Sequence, residues 1–387
     1  MLRQINTRSG WRDGRTGAER AKRWWTAVRL AVVIGAISFG PGINPTLADS
    51  THAQPVLDDV SVFASAPAPG HPFGVAVGDG RVYVSTSVGD FFTDPANGGH
   101  RNSDGERIFT YNEGGKLVDT TTIPTMPNAT MGLFGLALDG NPKPNHGLYV
   151  ADMNGRILRV DLSKESAAPE VFSQVPIDSG LSGDWMKSMW NDLVFDRAGN
   201  LYVPDDKPRI WRVGPDGTPS IWFTDPGLTG VFGIAGGPLG GRIDPTGRWL
   251  YFTITVSAEF PFEAVLYRIR LTDHPTASDL ELVHRFPVVA GQAPPQATGL
   301  AFAKSGNIYV SLTGVNQIAV LDPAGNETRR ISSPLFYSPW GLAFLGDSLL
   351  VTNADIEPGD NPAAWKIFKV FVGEPGLPLN RPRLPRD

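Results

Sequence analysis

The sequence predicts an all-β fold, a six-bladed β-propeller with four antiparallel strands in each blade, because one short motif occurs six times. In each copy an apolar run leads into a turn, and the second apolar run that follows contains a tyrosine in five of the six copies. Successive copies start 61, 57, 41, 66 and 42 residues apart, a period typical of propeller blades. The copies begin at Phe73, Phe134, Asn191, Phe232, Thr298 and Trp340.

Residues 1–48 precede the first copy and are predicted to be a signal peptide. Residues 1–29 contain eight Lys and Arg against two acidic residues, and residues 30–39 form an apolar stretch that is too short to cross a membrane. Small residues that suit a signal peptidase follow at Ala48 and Ala53. This order predicts a secreted or periplasmic protein, and the alternative is an N-terminal anchor that is retained.

The composition argues against several classes of function. Cleavage after residue 48 changes the formal net charge from −5 to −11, because the removed segment holds eight of the 34 basic residues and two of the 39 acidic ones. Such an acidic domain is repelled by nucleic acids and anionic membranes. The chain has no Cys, which excludes disulfides, zinc–thiolate sites and cysteine nucleophiles. We therefore expect a monomer that binds a small molecule, with no nucleic acid bound and no membrane span in the mature chain.

The propeller is predicted over residues 49–372, with strands A to D in each blade. Blade 2 shows the pattern clearly, with strand A predicted over 133–138, B over 147–151, C over 156–161 and D over about 169–174. The A strands are apolar on both faces, as is expected of the innermost buried strand.

Blades 4 and 6 depart from the regular pattern. In blade 4, strand A begins either at Phe232 or, in a second alignment, at Leu239. Blade 6 has no fourth strand of its own, because the Pro-rich tail over 373–387 is poorly suited to pair in a sheet. The run 60–63 is predicted to supply this strand and so to close the ring without an open edge.

Candidate ligand-binding residues lie on the face where the D-to-A and B-to-C connections meet, because the residue before each strand A surrounds the central opening there. Two long B-to-C loops, over 85–106 and 352–364, are expected to cover this opening, and long loops on a rigid scaffold often carry function. Polar residues at the ends of the B strands are expected to reach the same face, unless they cap turns through their own backbone. These residues are Ser85, Asp152, Asp205, Thr253 and Asn353.

The segment from Trp190 to Tyr202 resembles the Asn-Asp segment of the gluconolactonase family, which is also called the senescence marker protein or regucalcin-like family. The sixfold pattern over residues 57–372 is similar to that family as well, and to the related NHL-repeat propellers. The resemblance implies a divalent metal, commonly calcium, in the central channel and the hydrolysis of sugar lactones. On this basis Asn191 and Asp192 are the candidate catalytic and metal-binding residues.

The chain departs from the family at most of the ligand positions. The family places its metal and substrate ligands immediately before the A strands, a Glu in the first blade and Asn, Asn and Asp in later ones. Among the six ring positions of this chain, only Asn191 matches. Calcium takes six to eight oxygen ligands, so a calcium ion here would also need Asp192 or carboxylates from the two long loops.

The remaining ring positions are mostly aromatic, which predicts a concave apolar pocket for a ligand less polar than a free sugar acid. The alternative is that these side chains fill the channel as core. Contacts with the substrate are predicted for Phe73, Phe134, Trp190, Phe232, Thr298 and Trp340, and for Asp152, Asp205 and Asn353.

Two functions of different class are consistent with the sequence. The first is an exported lactonase-like hydrolase that acts on a small cyclic ester in the central pocket. The second is a non-catalytic propeller that binds an apolar small molecule or a protein partner. A quinone-dependent sugar dehydrogenase is a more distant third, since that class also uses six blades, although the sequence shows no redox motif. The chain has no Gly-x-Ser-x-Gly elbow, which argues against an α/β-hydrolase serine site.

Overall fold

The computed structural model describes residues 55–67, 71–87, 106–124, 132–143, 145–152, 155–164, 168–174, 190–231, 237–354 and 365–384. The predicted signal peptide, Phe232 and most of the two long loops lie outside these ranges. Three one-turn 3-10 helices occur in the described part, at Pro226–Leu228, Ala277–Asp279 and Thr313–Val315. Among the described residues, no helix has the length and apolar character needed to cross a membrane.

The described strands form six antiparallel sheets of four strands each. The innermost, A, strands are β2 (His71–Gly78), β6 (Leu133–Leu138), β10 (Val194–Phe195), β14 (Pro238–Ile243), β18 (Ala297–Phe302) and β22 (Pro339–Leu345). The B strands are β3 (Arg81–Ser87), β7 (Gly147–Asp152), β11 (Leu201–Pro204), β15 (Trp249–Ile254), β19 (Ile308–Leu312) and β23 (Ser348–Asn353). The C strands are β4 (Glu106–Asn112), β8 (Arg156–Asp161), β12 (Arg209–Val213), β16 (Ala264–Arg270), β20 (Gln317–Leu321) and β24 (Lys366–Phe371). The outer, D, strands are β5 (Leu117–Ile123), β9 (Glu170–Gln174), β13 (Pro219–Thr224), β17 (Leu280–Phe286), β21 (Glu327–Ser332) and β1 (Val60–Ser65).

The six sheets form a ring, because each A strand contacts the A strands of the two neighbouring blades. Every residue of β6, β14 and β18 is buried, whereas outer strands such as β5 and β1 are largely exposed on one face. Apolar side chains pack into a series of hydrophobic clusters that fill the space between and within the blades. The six-bladed propeller predicted from the sixfold motif is thereby confirmed.

For blade 4, the first alignment, which begins strand A at Phe232, is wrong by six residues. Strand β14 begins at Pro238, so Leu239 takes the ring position, as in the second alignment. The first residue of a strand tolerates Pro because its missing N–H is not needed there. Gly240 provides the close approach to blade 5, since a Cβ atom on it would lie 2.2 Å from the carbonyl oxygen of Thr298.

The N-terminal strand β1 lies in the same sheet as the last three strands of the chain. It pairs antiparallel with β24, with Val60 opposite Val370 and Ser65 opposite Lys366. A bulge between Val62 and Ala64 shifts the register within this pair. Blade 6 therefore contains strands from both ends of the propeller domain.

The Pro-rich tail packs against the propeller instead of extending away from it. Residues 373–384 form a segment that we call the C-terminal strap. The strap follows the face of the propeller that carries the A-to-B turns, which we call the strap face. The opposite face is the ring face. Gly376 makes an isolated bridge with Ala303 in blade 5, and the backbone N–H of Gly140 in blade 2 donates to the carbonyl oxygen of Pro382. Leu384 is buried in the cluster between blades 2 and 3. The tail was predicted to pair poorly, and its contacts are indeed mostly single hydrogen bonds and side-chain packing.

Candidate functional site

In five of the six blades the A strand has a bulge two residues long at its start, on the ring face. In five blades the second bulge residue is a glycine, and its place against the next blade leaves no room for a side chain. A Cβ atom on Gly74 would lie 2.1 Å from the carbonyl oxygen of Phe134, and one on Gly299 would lie 1.9 Å from that of Trp340. The repeated glycine of the sequence motif is therefore a requirement of blade packing. Blade 3 is the exception, with Asp192 at this position.

Hydroxyl groups of the B strands join the blades at the same level. The Ser85 hydroxyl accepts from the N–H of Gly74 at 3.0 Å and donates to the carbonyl oxygen of Phe134 at 2.5 Å. Thr253 and Thr352 make the same pair of bonds in blades 4 and 6, and Ser311 donates to the carbonyl oxygen of the next ring residue in blade 5. Ser85 and Thr253, which were predicted as polar ends of B strands, thus hold neighbouring blades together.

Blades 2 and 3 have Ala151 and Pro204 in place of this hydroxyl and use other bonds. The N–H of Gly135 donates directly to the carbonyl oxygen of Asn191 at 3.1 Å. From blade 3 to blade 4, the connection is made by the carboxylate of Asp192.

The Asp192 carboxylate has three donors around it. One oxygen accepts from the backbone N–H of Leu193 at 2.9 Å. The other accepts from the N–H of Gly241 at 3.0 Å and from Nη1 of Arg242 at 2.6 Å. Both side chains of this ion pair are only 10% exposed. Arg242 therefore balances a buried carboxylate at the axis.

The aromatic ring residues pack against one another at the centre of the ring face. The ring centroid of Phe73 lies 5.0 Å from that of Phe134 and 5.0 Å from that of Trp340, in edge-to-face arrangements. Trp340 is 9% exposed and the two Phe residues less. Phe232, the fourth predicted aromatic residue, lies outside the described residues, and Leu239 holds the ring position of its blade.

A narrow cavity lies on the axis beside this aromatic cluster. Its volume is about 20 Å³, enough for one water molecule. Four of the residues predicted to bind substrate or metal contribute to its lining, namely Asn191, Asp192, Thr298 and Trp340. Phe73, Phe134, Trp190, Asp152, Asp205 and Asn353 do not line it.

Asn191 is the polar ring residue whose hydrogen bonds are incomplete. It is almost fully buried, and its Nδ2 lies 3.5 Å from the carbonyl oxygen of Pro238, at the limit of a hydrogen bond. Its Oδ1 accepts no hydrogen bond from any residue that the structure describes. A buried amide oxygen without a donor is uncommon in folded proteins and marks a place where a water or ligand is expected. Thr298, by contrast, bonds the hydroxyl of Thr313 at 2.7 Å.

The described residues do not form a calcium site around Asn191. Calcium takes six to eight oxygen ligands, whereas the oxygens of Asp192 already accept three hydrogen bonds. In the described ranges, no group of three or more His, Asp and Glu side chains is placed to hold a metal ion.

The polar residues at the ends of the other B strands are held by their own blades. Asp152 accepts from Nε of Arg156 at 2.8 Å. Asp205 accepts from Nε of Arg209 and from Nε1 of Trp211, both at 2.7 Å. The Asn353 side chain, in turn, donates to the carbonyl oxygen of Leu335 at 3.1 Å. Trp190 is fully buried beside Trp211, with ring centroids 6.2 Å apart. The structure therefore does not bring these side chains together at the axial cavity.

Two residues of the axial region were not predicted from the sequence. Leu239 was considered only in the second alignment of blade 4, and Arg242 was given no role. Arg242 follows Gly241 in the A strand, at a position where the other five blades have Ala or Val. A charged residue inside an otherwise apolar inner strand is the signal that could have identified it, because a buried charge requires a partner.

Comparison with known proteins identifies the fold. No family model matches the chain, and no curated protein sequence matches it. Among solved structures, a calcium-binding protein, regucalcin, from Agrobacterium tumefaciens is similar with a TM-score of 0.56 and 18% identity, over 83% of this chain and 99% of that one. A luciferin-regenerating enzyme is similar with a TM-score of 0.55 and 14% identity, over 84% of this chain and 99% of that one. A gluconolactonase from Xanthomonas campestris is similar with a TM-score of 0.52 and 16% identity, over 82% of this chain and 89% of that one. The chain has the fold of these six-bladed propellers. Identities this low establish the fold alone.

Trp340→Ala is expected to lower the free energy of unfolding by about 3 kcal/mol, because it removes a buried aromatic side chain that packs edge-to-face on Phe73. Urea unfolding followed by fluorescence measures this loss. Trp340→Phe is the control, since it keeps an aromatic ring and should cost less. A loss well below 1 kcal/mol would instead indicate that the side chain is available to a ligand, the pocket predicted from the sequence.

Proposed function

We propose that this protein is an exported lactonase-like hydrolase that acts on a small cyclic ester bound on the ring face. The observation that carries the proposal is the buried amide of Asn191 at the axis, with an oxygen that has no donor among the described residues. The likeness of the fold to a gluconolactonase supports the same class of reaction. The charged and apolar segment at the N-terminus supports export.

The substrate is placed above the aromatic cluster and not inside the axis, because the axial cavity holds only about one water molecule. Trp340, the most exposed of the three ring aromatics, lines the axial cavity together with Asn191 and gives this position an apolar neighbour. A lactone with an apolar body fits this environment better than a polyhydroxylated sugar lactone.

Hydrolysis joins a water oxygen to the lactone carbonyl carbon, breaks the ring C–O bond and transfers a proton to the alkoxide that leaves. In this scheme the Asn191 Nδ2 donates to the carbonyl oxygen, where negative charge develops, and its Oδ1 accepts from the attacking water. We give Asp192 a positioning role, because its oxygens already accept hydrogen bonds from Leu193, Gly241 and Arg242. No step is assigned to a metal ion.

Asn191→Ala is expected to lower kcat/KM for an aromatic lactone such as dihydrocoumarin by about 100-fold, as for the loss of one donor to a developing oxyanion. The assay measures ring opening by residues 49–387, with glucono-δ-lactone as the polar comparison and EDTA as a test for metal dependence. Asn112→Ala is the control, since Asn112 ends strand β4 of blade 1 and does not line the axial cavity. Turnover that favours the sugar lactone and stops with EDTA would contradict this proposal.

A second candidate is a non-catalytic propeller that binds an apolar small molecule. The mutual packing of the three ring aromatics favours it, because it leaves Asn191 and Thr298 as the two polar side chains among the six ring residues. Saturable binding of a lactone or other apolar compound by residues 49–387, without any ring opening, would support this second candidate over the first.

A further inference from the structure

A groove on the strap face lies between blades 3 and 4, away from the ring face. Its volume is about 390 Å³, within the range of small-molecule sites. One wall is the A-to-B turn over 196–200, and the other combines Gly247 with residues 271–273 after β16. Asn380 of the C-terminal strap borders one end. The loop of the second wall is fixed to blade 3, because Nε1 of Trp222 donates to the carbonyl oxygen of Thr272 at 2.8 Å.

The floor of the groove is apolar. It is formed by Tyr202 and Ile243, which are both buried, and by the partly buried Leu271. Asp196 is the acidic residue of the first wall, and its carboxylate already accepts hydrogen bonds within the A-to-B turn. It accepts from the backbone N–H of Ala198 at 2.8 Å and from Nδ2 of Asn200 at 2.7 Å.

Two arginines face this floor, and the other blades show what is unusual about one of them. In blade 2, Arg159 lies opposite a B-strand tyrosine and pairs with Glu170 of its own D strand at 2.8 Å. In blade 4, Arg268 at the same position pairs with Glu281 of its D strand at 2.5 Å. The arginine of these two blades is thus neutralised within its own blade.

In blade 3, the D-strand residue opposite the equivalent arginine is not acidic. Arg212 lies opposite Tyr202 on one side and opposite Ser220 on the other. Its Nη1 reaches across the groove to the carboxylate of Asp273 at 3.0 Å, and the Asp273 side chain is 83% exposed. An exposed ion pair of this kind contributes little and exchanges readily. Asp273 therefore marks where a carboxylate can sit without filling the groove.

Arg197, the second arginine, makes no ion pair with any residue in the described ranges. Its guanidinium lies close above the A-to-B turn of blade 4, since a Cβ atom on Gly247 would be 3.5 Å from its Cζ. The groove consequently combines an apolar floor, one guanidinium without an anionic partner and one whose partner is exposed.

We propose that this groove binds a small organic carboxylate. The carboxylate replaces Asp273 between Arg197 and Arg212, which offer charge-assisted hydrogen bonds, and the apolar body lies on Tyr202 and Leu271. This site is on the opposite face from Asn191, so it does not depend on the proposed hydrolase activity.

The proposal is tested by titrating residues 49–387 with benzoate, followed by calorimetry or by NMR shifts. Benzoate is expected to bind saturably and more tightly than benzyl alcohol, which lacks the charge, and than inorganic phosphate, which lacks the apolar body. Arg197→Gln is expected to weaken benzoate binding about ten-fold, the effect of losing one charge-assisted hydrogen bond. Asp273→Asn is expected to tighten it several-fold, because the internal competitor for Arg212 is removed.

Arg81→Gln is the matched control, since Arg81 is an exposed arginine of blade 1 that donates to the carbonyl oxygen of its neighbour Gly80. It should leave benzoate binding unchanged. The proposal is overturned if benzoate does not saturate, if benzyl alcohol or phosphate binds as tightly, or if Asp273→Asn does not tighten binding. An equal loss in the Arg197 and Arg81 variants would also overturn it, because it would show a general charge effect.

Discussion

Removal of residues 374–387 is expected to lower the free energy of unfolding by about 5 kcal/mol, because the C-terminal strap ties blade 5 to blades 1 and 2 across the strap face. At its start, Glu374 accepts from the hydroxyl of Tyr309 at 2.6 Å and from Nδ2 of Asn307 at 2.9 Å. Further along, the N–H of Leu377 donates to the carbonyl oxygen of Phe302 at 2.9 Å. Urea unfolding of residues 49–373 and 49–387 measures the difference.

The far end of the strap is held by an ion pair and by a buried side chain. Arg381 pairs with Asp79 of blade 1, with one of the two hydrogen bonds at 3.1 Å. The N–H of Leu384 donates to Oδ1 of Asn141 at 2.9 Å, and the Leu384 side chain packs in the cluster that contains Trp211. These contacts join parts of the chain that are more than 200 residues apart, so their loss affects the whole ring.

The contribution of the strap is expected to depend on pH. The hydrogen bond from Arg381 lowers the pKa of Asp79, with a smaller effect from His146. Burial alone would raise the pKa of Glu374, but the hydrogen bonds from Ser305, Tyr309 and Asn307 outweigh it and lower this pKa. A carboxyl whose pKa is depressed by folding stabilises fully above its unfolded pKa, about 4, and loses that contribution as the pH falls through the folded value. The difference between full-length and truncated protein should therefore be constant near neutral pH and shrink in acid.

Two single substitutions provide the controls for the truncation. Leu384→Ala should cost about 2–3 kcal/mol as a buried leucine, whereas Leu379→Ala, at a strap residue that is 41% exposed, should cost little. A truncated protein with the unfolding midpoint of the full-length chain would show that the strap only lies on the surface.

The strap illustrates what sequence patterns leave undetermined. Its Pro content predicted that residues 373–387 would pair poorly in a sheet, because Pro lacks the N–H that a ladder needs, and the described residues 373–384 add no regular strand. The same composition carries no information on single hydrogen bonds to distant partners such as Asp79 and Asn141. Contacts of that kind depend on the closed ring, which brings blades 5, 1 and 2 to one face.

The propeller itself was predictable because its signal is local and repeated. The A and C strands predicted for blade 2, over 133–138 and 156–161, have the observed bounds. Blade 4 was ambiguous because Phe232-Gly233 and Leu239-Gly240 satisfy the same short motif. In the structure Gly240 lies against Thr298 of the next blade, a contact between blades that the local pattern does not contain.

The candidate site was predictable only in part for the same reason. The importance of Asn191 followed from its position before a strand, and the structure places it at the axial cavity. That Ser85 and Thr253 serve contacts between blades could not be read from the sequence, because their acceptors lie 49 and 45 residues away. The partner of Asp192 is similarly remote, since Arg242 follows it by 50 residues.

Asp192→Ala is expected to lower the free energy of unfolding by about 5 kcal/mol, because it leaves the buried Arg242 guanidinium without its anion and the N–H of Gly241 without an acceptor. Asp192→Asn keeps the shape and one acceptor oxygen, so it should cost less. Arg242→Leu is the reciprocal change. If the two side chains act as a pair, the double variant Asp192→Asn/Arg242→Leu should lose less than the sum of the single losses.

These variants also distinguish the positioning role of Asp192 from the catalytic role suggested by family resemblance. A carboxylate that transfers protons would be needed for turnover but not for stability, so Asp192→Asn would abolish lactone hydrolysis in a protein that unfolds like the wild type. A carboxylate that holds Arg242 and blade 4 in place would be needed for stability but not for proton transfer during turnover. We expect Asp192→Asn to retain measurable kcat with an unchanged pH profile, together with a lowered unfolding midpoint, because the acceptor oxygens serve Leu193, Gly241 and Arg242 and not the substrate. Loss of turnover without any loss of stability would instead indicate that Asp192 takes part in catalysis together with Asn191.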